Sequence, residues 1–267
     1  MTEQTSLNVQ KDSGIAILTF NRPQVYNALN TETVAAALAA MRELQNDTEV
    51  RALVITGGGK AFIAGADIAE MSQKTPTQAR IYSELGRTLM HTIEQLGKPV
   101  IAAINGFCLG GGMEVALASD IRIASEKARF GLPEMILGIT TGWGALPRST
   151  RLAGAAVTKE LIFTGDIIDA RRALEIGVIN QMVAHDELMS LTLDMARKIC
   201  RRSRFAVARA KEVINASTDR ALSDACAMET DAFVACFEAG DHKEGMQAFL
   251  EKREPQFDRD PGHRFLS

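Results

Sequence analysis

Cysteine is scarce and carries no pattern. Cys108, Cys200, Cys226 and Cys236 are the four in 267 residues, and no C-x-x-C spacing occurs among them. That excludes a thiolate metal knuckle and gives no disulfide framework. With no apolar stretch in MTEQTSLNVQ to serve as a secretory signal, a reducing, cytoplasmic setting is expected. The four histidines (His91, His185, His242, His263) have neither H-x-x-E-H nor H-E-x-x-H spacing, so no metal site is expected. No uncharged apolar run approaches the roughly 18 residues that span a bilayer, so no membrane segment is expected. Charge of one sign is also missing. A net charge of −3 gives no general attraction to nucleic acid or to acidic lipid. What remains is 46% hydrophobic and 24% charged, the composition of a globular protein, at a length suiting one large domain or one domain with an appendage.

Glycine clusters are present, but the nucleotide motifs that use them are not. A P-loop ending at Lys60 would need glycine where Val54 stands and Ser or Thr where Ala61 stands. The dinucleotide pattern G-x-G-x-x-G fails from Gly57 at Phe62, from Gly110 at Val115 and from Gly142 at Pro147. No G-x-S-x-G nucleophile elbow occurs.

SLNVQ and GIAILTF, joined by KDS, predict a hairpin near residues 6–20. Asn30 or Thr31 caps a helix running to about Asp47, with Val34, Leu38, Met41 and Leu44 on its core face. RALVITG, PVIAAIN and DIRIAS read as buried strands, a helix covers about 77–96, and GKAFIAGADIAEM reads as loop. Strand and helix alternate from about 51 to 125, which favours parallel strands with right-handed crossovers. Beyond about residue 155 the segments read as helices, with no low-complexity linker and no repeat of fixed sequence signature.

The stretch LGGGMEVAL opens a helix with Gly110, Gly111 and Gly112, then sets Glu114 among apolar side chains. Glycine lets a ligand approach bare backbone, and the first N–H groups of a helix have no internal acceptor, so this turn offers donors to developing negative charge. It is equally readable as a tight strand-to-helix turn whose Glu114 complements the helix dipole. Glu134 follows Pro133 at what reads as a helix start. Both carboxylates sit in apolar local sequence, where burial raises a carboxyl pKa, and two such acids beside glycine-rich loops suggest one pocket holding a water. In KAFIAGADIAEM, Gly65 and Ala66 leave backbone bare ahead of Asp67, which is either part of that site or a helix cap.

Together FNRPQVYNAL, KAFIAGADIAEM, GKPVIAAINGFCLGGGMEVALASD, ARFGLPEMILGI, FTGDIIDARRALEIGVIN and EGMQAFLEKREPQF resemble the crotonase (enoyl-CoA hydratase/isomerase) family, in family order and across nearly the whole chain. The resemblance implies an α/β fold: a crotonase-like spiral of repeated ββα units over 1–195 and a helical C-terminal region for trimerisation over 196–267. It implies a homotrimer or a homohexamer built as a dimer of trimers. The implied activity is enoyl-CoA hydration, with no cofactor beyond the coenzyme A of the acyl-CoA thioester substrate. Ala66 and Gly111 look like the backbone donors to the thioester oxygen, and Glu114 and Glu134 like the paired acids of true hydratases. Many relatives with other chemistry change one of those acids, so retention of both favours hydration. Ala64, Asp67, Ile68 and Ala69 fall where the family lines its coenzyme A channel, although a lysine is common at the position of Ala69. Phe249 and Lys252 would reach the coenzyme A of an adjoining subunit. Where the family usually reads P-G-x-G-G-T-Q-R, this chain has TGWGALPR (141–148), so Gly142 and Trp143 would border an altered acyl pocket, Trp143 being readable as a core aromatic as well.

Enoyl-CoA isomerisation and non-catalytic acyl-CoA binding remain open at this point. A crotonase relative binds AU-rich RNA, and RKICRRSRFAVARAK (197–211) carries seven basic side chains. The plainer reading of that run is a solvated helical face, and no nucleic-acid or membrane partner is expected.

Overall fold

A computed structural model describes residues 5–257. The chain opens with an antiparallel hairpin, β1 (Leu7–Asp12) and β2 (Ile15–Phe20), turned at Ser13–Gly14. Helix α1 (Thr31–Asn46) follows, with the Asn30 side chain accepting from the Thr33 N–H as its cap. Its buried face is Thr33, Val34, Ala37, Leu38, Met41 and Leu44, the i, i+3, i+4 stripe expected of a helix laid on a sheet.

The middle of the chain repeats one device. Strand β3 (Ala52–Gly57) is followed by the short β4 (Ala61–Ile63), then α2 (Ile68–Met71) and the long α3 (Pro76–Gln95). Strand β5 (Val100–Ile104) is followed by β6 (Phe107–Leu109) and α4 (Gly111–Ala118). Strand β7 (Ile121–Ser125) is followed by β8 (Arg129–Gly131) and a 3-10 turn, Pro133–Leu137. In each round the first strand joins one sheet and the second strand joins another. Helices α5 (Ala145–Ala153) and α6 (Ala155–Thr164) lead to β9 (Ile168–Asp169), which pairs antiparallel with β8. Helix α7 (Ala170–Glu175) and β10 (Gln181–Val183) return the chain to the first sheet. The two sheets have the orders β1-β2-β3-β5-β7-β10 and β4-β6-β8-β9. This is the spiral of ββα units that the resemblance implies.

The central strands of the large sheet, β3, β5 and β7, are buried on both faces, which is why they read as apolar runs, whereas the edge strand β1 is exposed. Leu53 and Ile55 of β3, and Val100, Ala102 and Ile104 of β5, face the main core with α1, α3 and α4. Ala52, Val54, Ile101 and Ala103 face the other way, under Leu188 and Ala196 of α8 (Leu188–Cys200). Helices α9 (Arg204–Ser217), α10 (Leu222–Ala239) and α11 (Asp241–Leu250) complete the chain.

Two sequence-based expectations change. GKAFIAGADIAEM is not all loop, because β4 and α2 lie within it; a three-residue strand and a four-residue helix are too short to show a period. The C-terminal half is not purely helical, since β9 and β10 interrupt it for the same reason. Residues 195 and 196 both lie in α8, whose apolar face continues on the sheet through Ala196. His263 lies outside the described residues.

Candidate active site

The small sheet ends at two bare backbone segments that meet. Gly110 takes φ 48° and ψ −116°, a conformation that side chains disfavour, and its N–H donates to Gly131 O at 3.0 Å. This turns the chain out of β6 and straight into α4. A Cβ on Gly112 would overlap the carbonyl of Ile63, so only glycine lets α4 lie this close to β4. Gly111 is the first residue of the helix, and its N–H has no acceptor within α4.

The opposite segment is fixed by a parallel bridge between Leu29 and Ala66. Leu29 N–H donates to Gly65 O and Asp67 N–H to Leu29 O, both at 2.9 Å. The bridge therefore uses the groups on either side of Ala66, and the N–H of Ala66 itself faces the other way. A Cβ built on Gly110 would sit 3.7 Å from Gly65 Cα, which brings the Ala66 and Gly111 amides to neighbouring loops.

Both carboxylates reach this junction. Glu114 is 3% exposed, and its Oε1 accepts from the N–H of Trp143 at 2.7 Å and of Ala145 at 3.2 Å. Glu134, the second residue of the 3-10 segment, brings Oε1 to 2.8 Å from where a Gly110 Cβ would stand. Its Oε2 is buried with no hydrogen-bond partner among the described residues. Burial pushes the Glu114 carboxyl up to about 7; the two amide donors pull against burial, and the nearby charge of Glu134 adds to it. Burial likewise raises Glu134. Two carboxyls that perturb one another titrate as a pair, and one proton shared between them relieves their repulsion. The amides favour charge on Glu114, whereas burial alone raises Glu134, with no side-chain donor to offset it among the described residues.

Trp143 is packed as the core-aromatic reading expects. It is a core aromatic, 3% exposed and edge-on to Tyr82 with ring centroids 5.1 Å apart, and its indole lies against Gly111. Gly86, in the middle of α3, makes room for it, since a Cβ there would overlap the indole. Tyr82 donates its hydroxyl to Leu29 O at 2.6 Å and so ties α3 to the Ala66 bridge. Gly142 is exposed and accepts from Ser83 Oγ at 2.8 Å.

The peripheral candidates are placed less tightly. Asp67 caps α2 by accepting from Glu70 N–H and pairs with Arg22 at 3.2 Å, so its side chain holds the loop. Ala64 N–H donates to Tyr26 O, while Ile68 and Ala69 are exposed beside it. Phe249, 82% exposed, ends α11, which packs chiefly on α10 and away from the two carboxylates; Lys252 follows it at φ 55°. Much of the basic run 197–211 is engaged internally. Arg197 pairs with Asp194, Arg209 with Glu212, Arg204 donates to Thr48 O, and Lys211 reaches Asp120 at 2.7 Å and the carbonyls of Ile93 and Lys98. Sequence reasoning missed Asn27. It is fully buried, and its side-chain amide donates to the carbonyls of Gly58, Ala61 and Phe62 to set the start of β4; an isolated amide in VYNAL was its only signal.

The family model for enoyl-CoA hydratase/isomerase matches residues 10–260. The chain belongs to that family. A short-chain-enoyl-CoA hydratase of Clostridium acetobutylicum is 44% identical over 252 residues, covering 94% of this chain and 97% of the relative. A crotonyl-CoA hydratase of Syntrophomonas wolfei is 42% identical over 250 residues, covering 93% and 96%. The crystal structure of an enoyl-CoA hydratase from Bacillus anthracis superposes with a TM-score of 0.93 at 36% identity, over 96% of this chain and all of that one. No helix among the described residues is long and apolar enough to cross a membrane.

Proposed function

We propose that the protein adds water across the 2,3 double bond of a short 2-enoyl-CoA thioester to give the 3-hydroxyacyl-CoA. The observation that carries this is the pair of buried carboxyls, Glu114 and Glu134, at the junction where the Ala66 and Gly111 amides have no ladder or helix partner. The family membership and the names of the two relatives support the substrate class.

In this reading the thioester oxygen accepts from Ala66 and Gly111 N–H. As the water oxygen bonds to C3, the C2=C3 pair becomes the C1=C2 bond of an enolate and the carbonyl pair moves onto the oxygen, where one such donor is typically worth about 10²–10³ in rate. Glu114, in its ionised form, which the Trp143 and Ala145 amides favour against burial, takes the proton that water loses. Glu134 acts as the acid that delivers a proton to C2 as the enolate collapses. Proton return from Glu114 to Glu134 restores the pair, and no cofactor beyond the substrate's own coenzyme A is required. The backbone at Ala64, Asp67, Ile68 and Ala69 lines the pantetheine path, Gly142 and Trp143 border the acyl group, and Phe249 and Lys252 close on the coenzyme A of a neighbouring subunit. Exposed apolar side chains on α9–α11 (Ile214, Leu222, Phe233, Val234, Phe249, Leu250) support self-association, read here as a homotrimer or a dimer of trimers, and sedimentation should report three or six protomers, not one.

The wild-type protein mixed with a four-carbon 2-enoyl-CoA should bleach the conjugated thioester absorbance with uptake of one water. Conversion of a 3-enoyl-CoA without hydration would instead identify an isomerase, and binding with neither reaction a non-catalytic relative.

A further inference from the structure

Glu114 can hold its charge only if the Trp143 and Ala145 amides point at it, and a glycine-flanked turn does not fix their direction unaided. The turn is clamped from behind. The Arg148 guanidinium, on the first turn of α5, donates from Nη1 to Trp143 O at 2.9 Å and to Gly144 O at 3.3 Å. Its Nε and Nη2 donate to the two oxygens of Glu94 on α3, each at 2.7 Å, the fork geometry that a planar guanidinium makes with a carboxylate. Gly144 takes φ 104°, and a Cβ there would overlap Arg148 Nη1, so the turn is shaped to admit the guanidinium. The peptide between Gly142 and Trp143 ends in the N–H that donates to Glu114, and the Trp143 carbonyl that follows is held by Arg148. The Gly144 carbonyl that Arg148 also holds shares its peptide plane with the Ala145 N–H, and the Trp143 carbonyl belongs to the peptide between the two donors, so the guanidinium, anchored to α3, fixes one donor plane directly and the link to the other.

We infer that Arg148, braced by Glu94, is the positioning residue for Glu114: it fixes the 143–145 turn so that two amides hold the Glu114 carboxylate in place for the water. The inference rests on the hydration reading given above. Arg148 also acts at a distance through its charge, which favours the ionised form of Glu114. The other charged and titratable groups bearing on this pair are Glu134 from the 3-10 turn, which opposes ionisation of Glu114; Tyr82 of α3, on which the Glu114 charge acts; and Lys211 of α9 beside Glu94, itself paired with Asp120.

The test is the pH profile of hydration of a four-carbon 2-enoyl-CoA by the full-length protein and its Arg148→Met, Arg148→Lys and Glu94→Gln variants. Arg148→Met should lower kcat by about 10–100-fold, the scale of a misplaced reacting group, with KM changed little. Losing the positive charge and loosening the amides raises the Glu114 pKa, so the ascending limb of kcat/KM should move up by about half a unit or more, making the loss larger at pH 6 than at pH 8. Arg148→Lys keeps the charge but cannot span four acceptors, so kcat should fall with a smaller movement of the limb. Glu94→Gln, which still accepts from Arg148, should fall least. A wild-type protein that does not hydrate, or a Glu114→Gln variant that hydrates normally, would defeat the hydration reading itself. Hydrating wild type and inactive Glu114→Gln together with an Arg148→Met profile that superposes on wild type, or is lowered equally at every pH, would overturn this inference. Should Arg148→Met fail to fold, the Arg148→Lys and Glu94→Gln profiles decide it by the same criterion.

Discussion

At Glu114, burial and hydrogen bonding pull in opposite directions. Burial disfavours the anion, the amides of Trp143 and Ala145 favour it, and the balance leaves the carboxyl near 7 in the folded chain, well above its ordinary value of 4.5. A carboxyl whose folded-state pKa is raised binds its proton more tightly when folded. Its contribution to stability is therefore complete below about pH 4.5 and is lost as pH rises through about 7. Glu114→Gln removes that titration while keeping an oxygen to accept the same amides. The variant should gain thermal stability relative to wild type between pH 5 and pH 8, read as a widening gap in Tm; a gap that stays constant or narrows would contradict the assigned environment. Glu114 and Glu134 were legible in the sequence because a carboxylate within MEVALA or LPEMILG is chemically conspicuous. Arg148 and Glu94 were not, since an arginine and a glutamate on two amphipathic helices, 54 residues apart, look like any solvated pair until the turn between them is seen.

At the scale of elements, the most consequential contact is that of α3 with the 142–145 turn. Gly86 in a helix interior costs roughly 1 kcal/mol against alanine, and here it creates the space that Trp143 fills. The indole stands between α3 and Gly111, and in the proposed site it would limit how far an acyl group extends beyond the oxyanion donors. Trp143→Leu should raise the ratio of kcat/KM for a ten-carbon over a four-carbon 2-enoyl-CoA by about 10-fold or more, within the range a reshaped apolar pocket achieves. An unchanged ratio in a folded variant would remove Trp143 from chain-length selection. The long helices α1 and α3 and the strands β3, β5 and β7 were legible from periodicity and apolar runs. β4, β6, β8 and β9, of two or three residues each, were not, and their pairing depends on glycine-permitted close approach, such as that of Gly112 to Ile63, which a pattern of apolar and polar residues does not encode.

For the molecule as a whole, the spiral explains why residues far apart in the chain converge. Each round sends its second strand to the same small sheet. The segments that follow β4, β6 and β8 therefore emerge together, carrying Ala66, Gly111 and Glu134 respectively, with Glu114 one turn into α4. The repeat leaves no sequence signature because its rounds share topology and not residues; only the ordered family segments made it readable. In the proposed mechanism the two carboxyls act as one unit. The most direct test is the hydration rate of a four-carbon 2-enoyl-CoA by Glu114→Gln, Glu134→Gln and the double variant, with thioester affinity measured alongside. Each single variant should keep its affinity and lose about 10²–10⁴ in kcat, and the double variant should lose little more than the worse single one. Turnover close to wild type in either single variant, or fully additive losses in the double, would contradict a shared water held between Glu114 and Glu134.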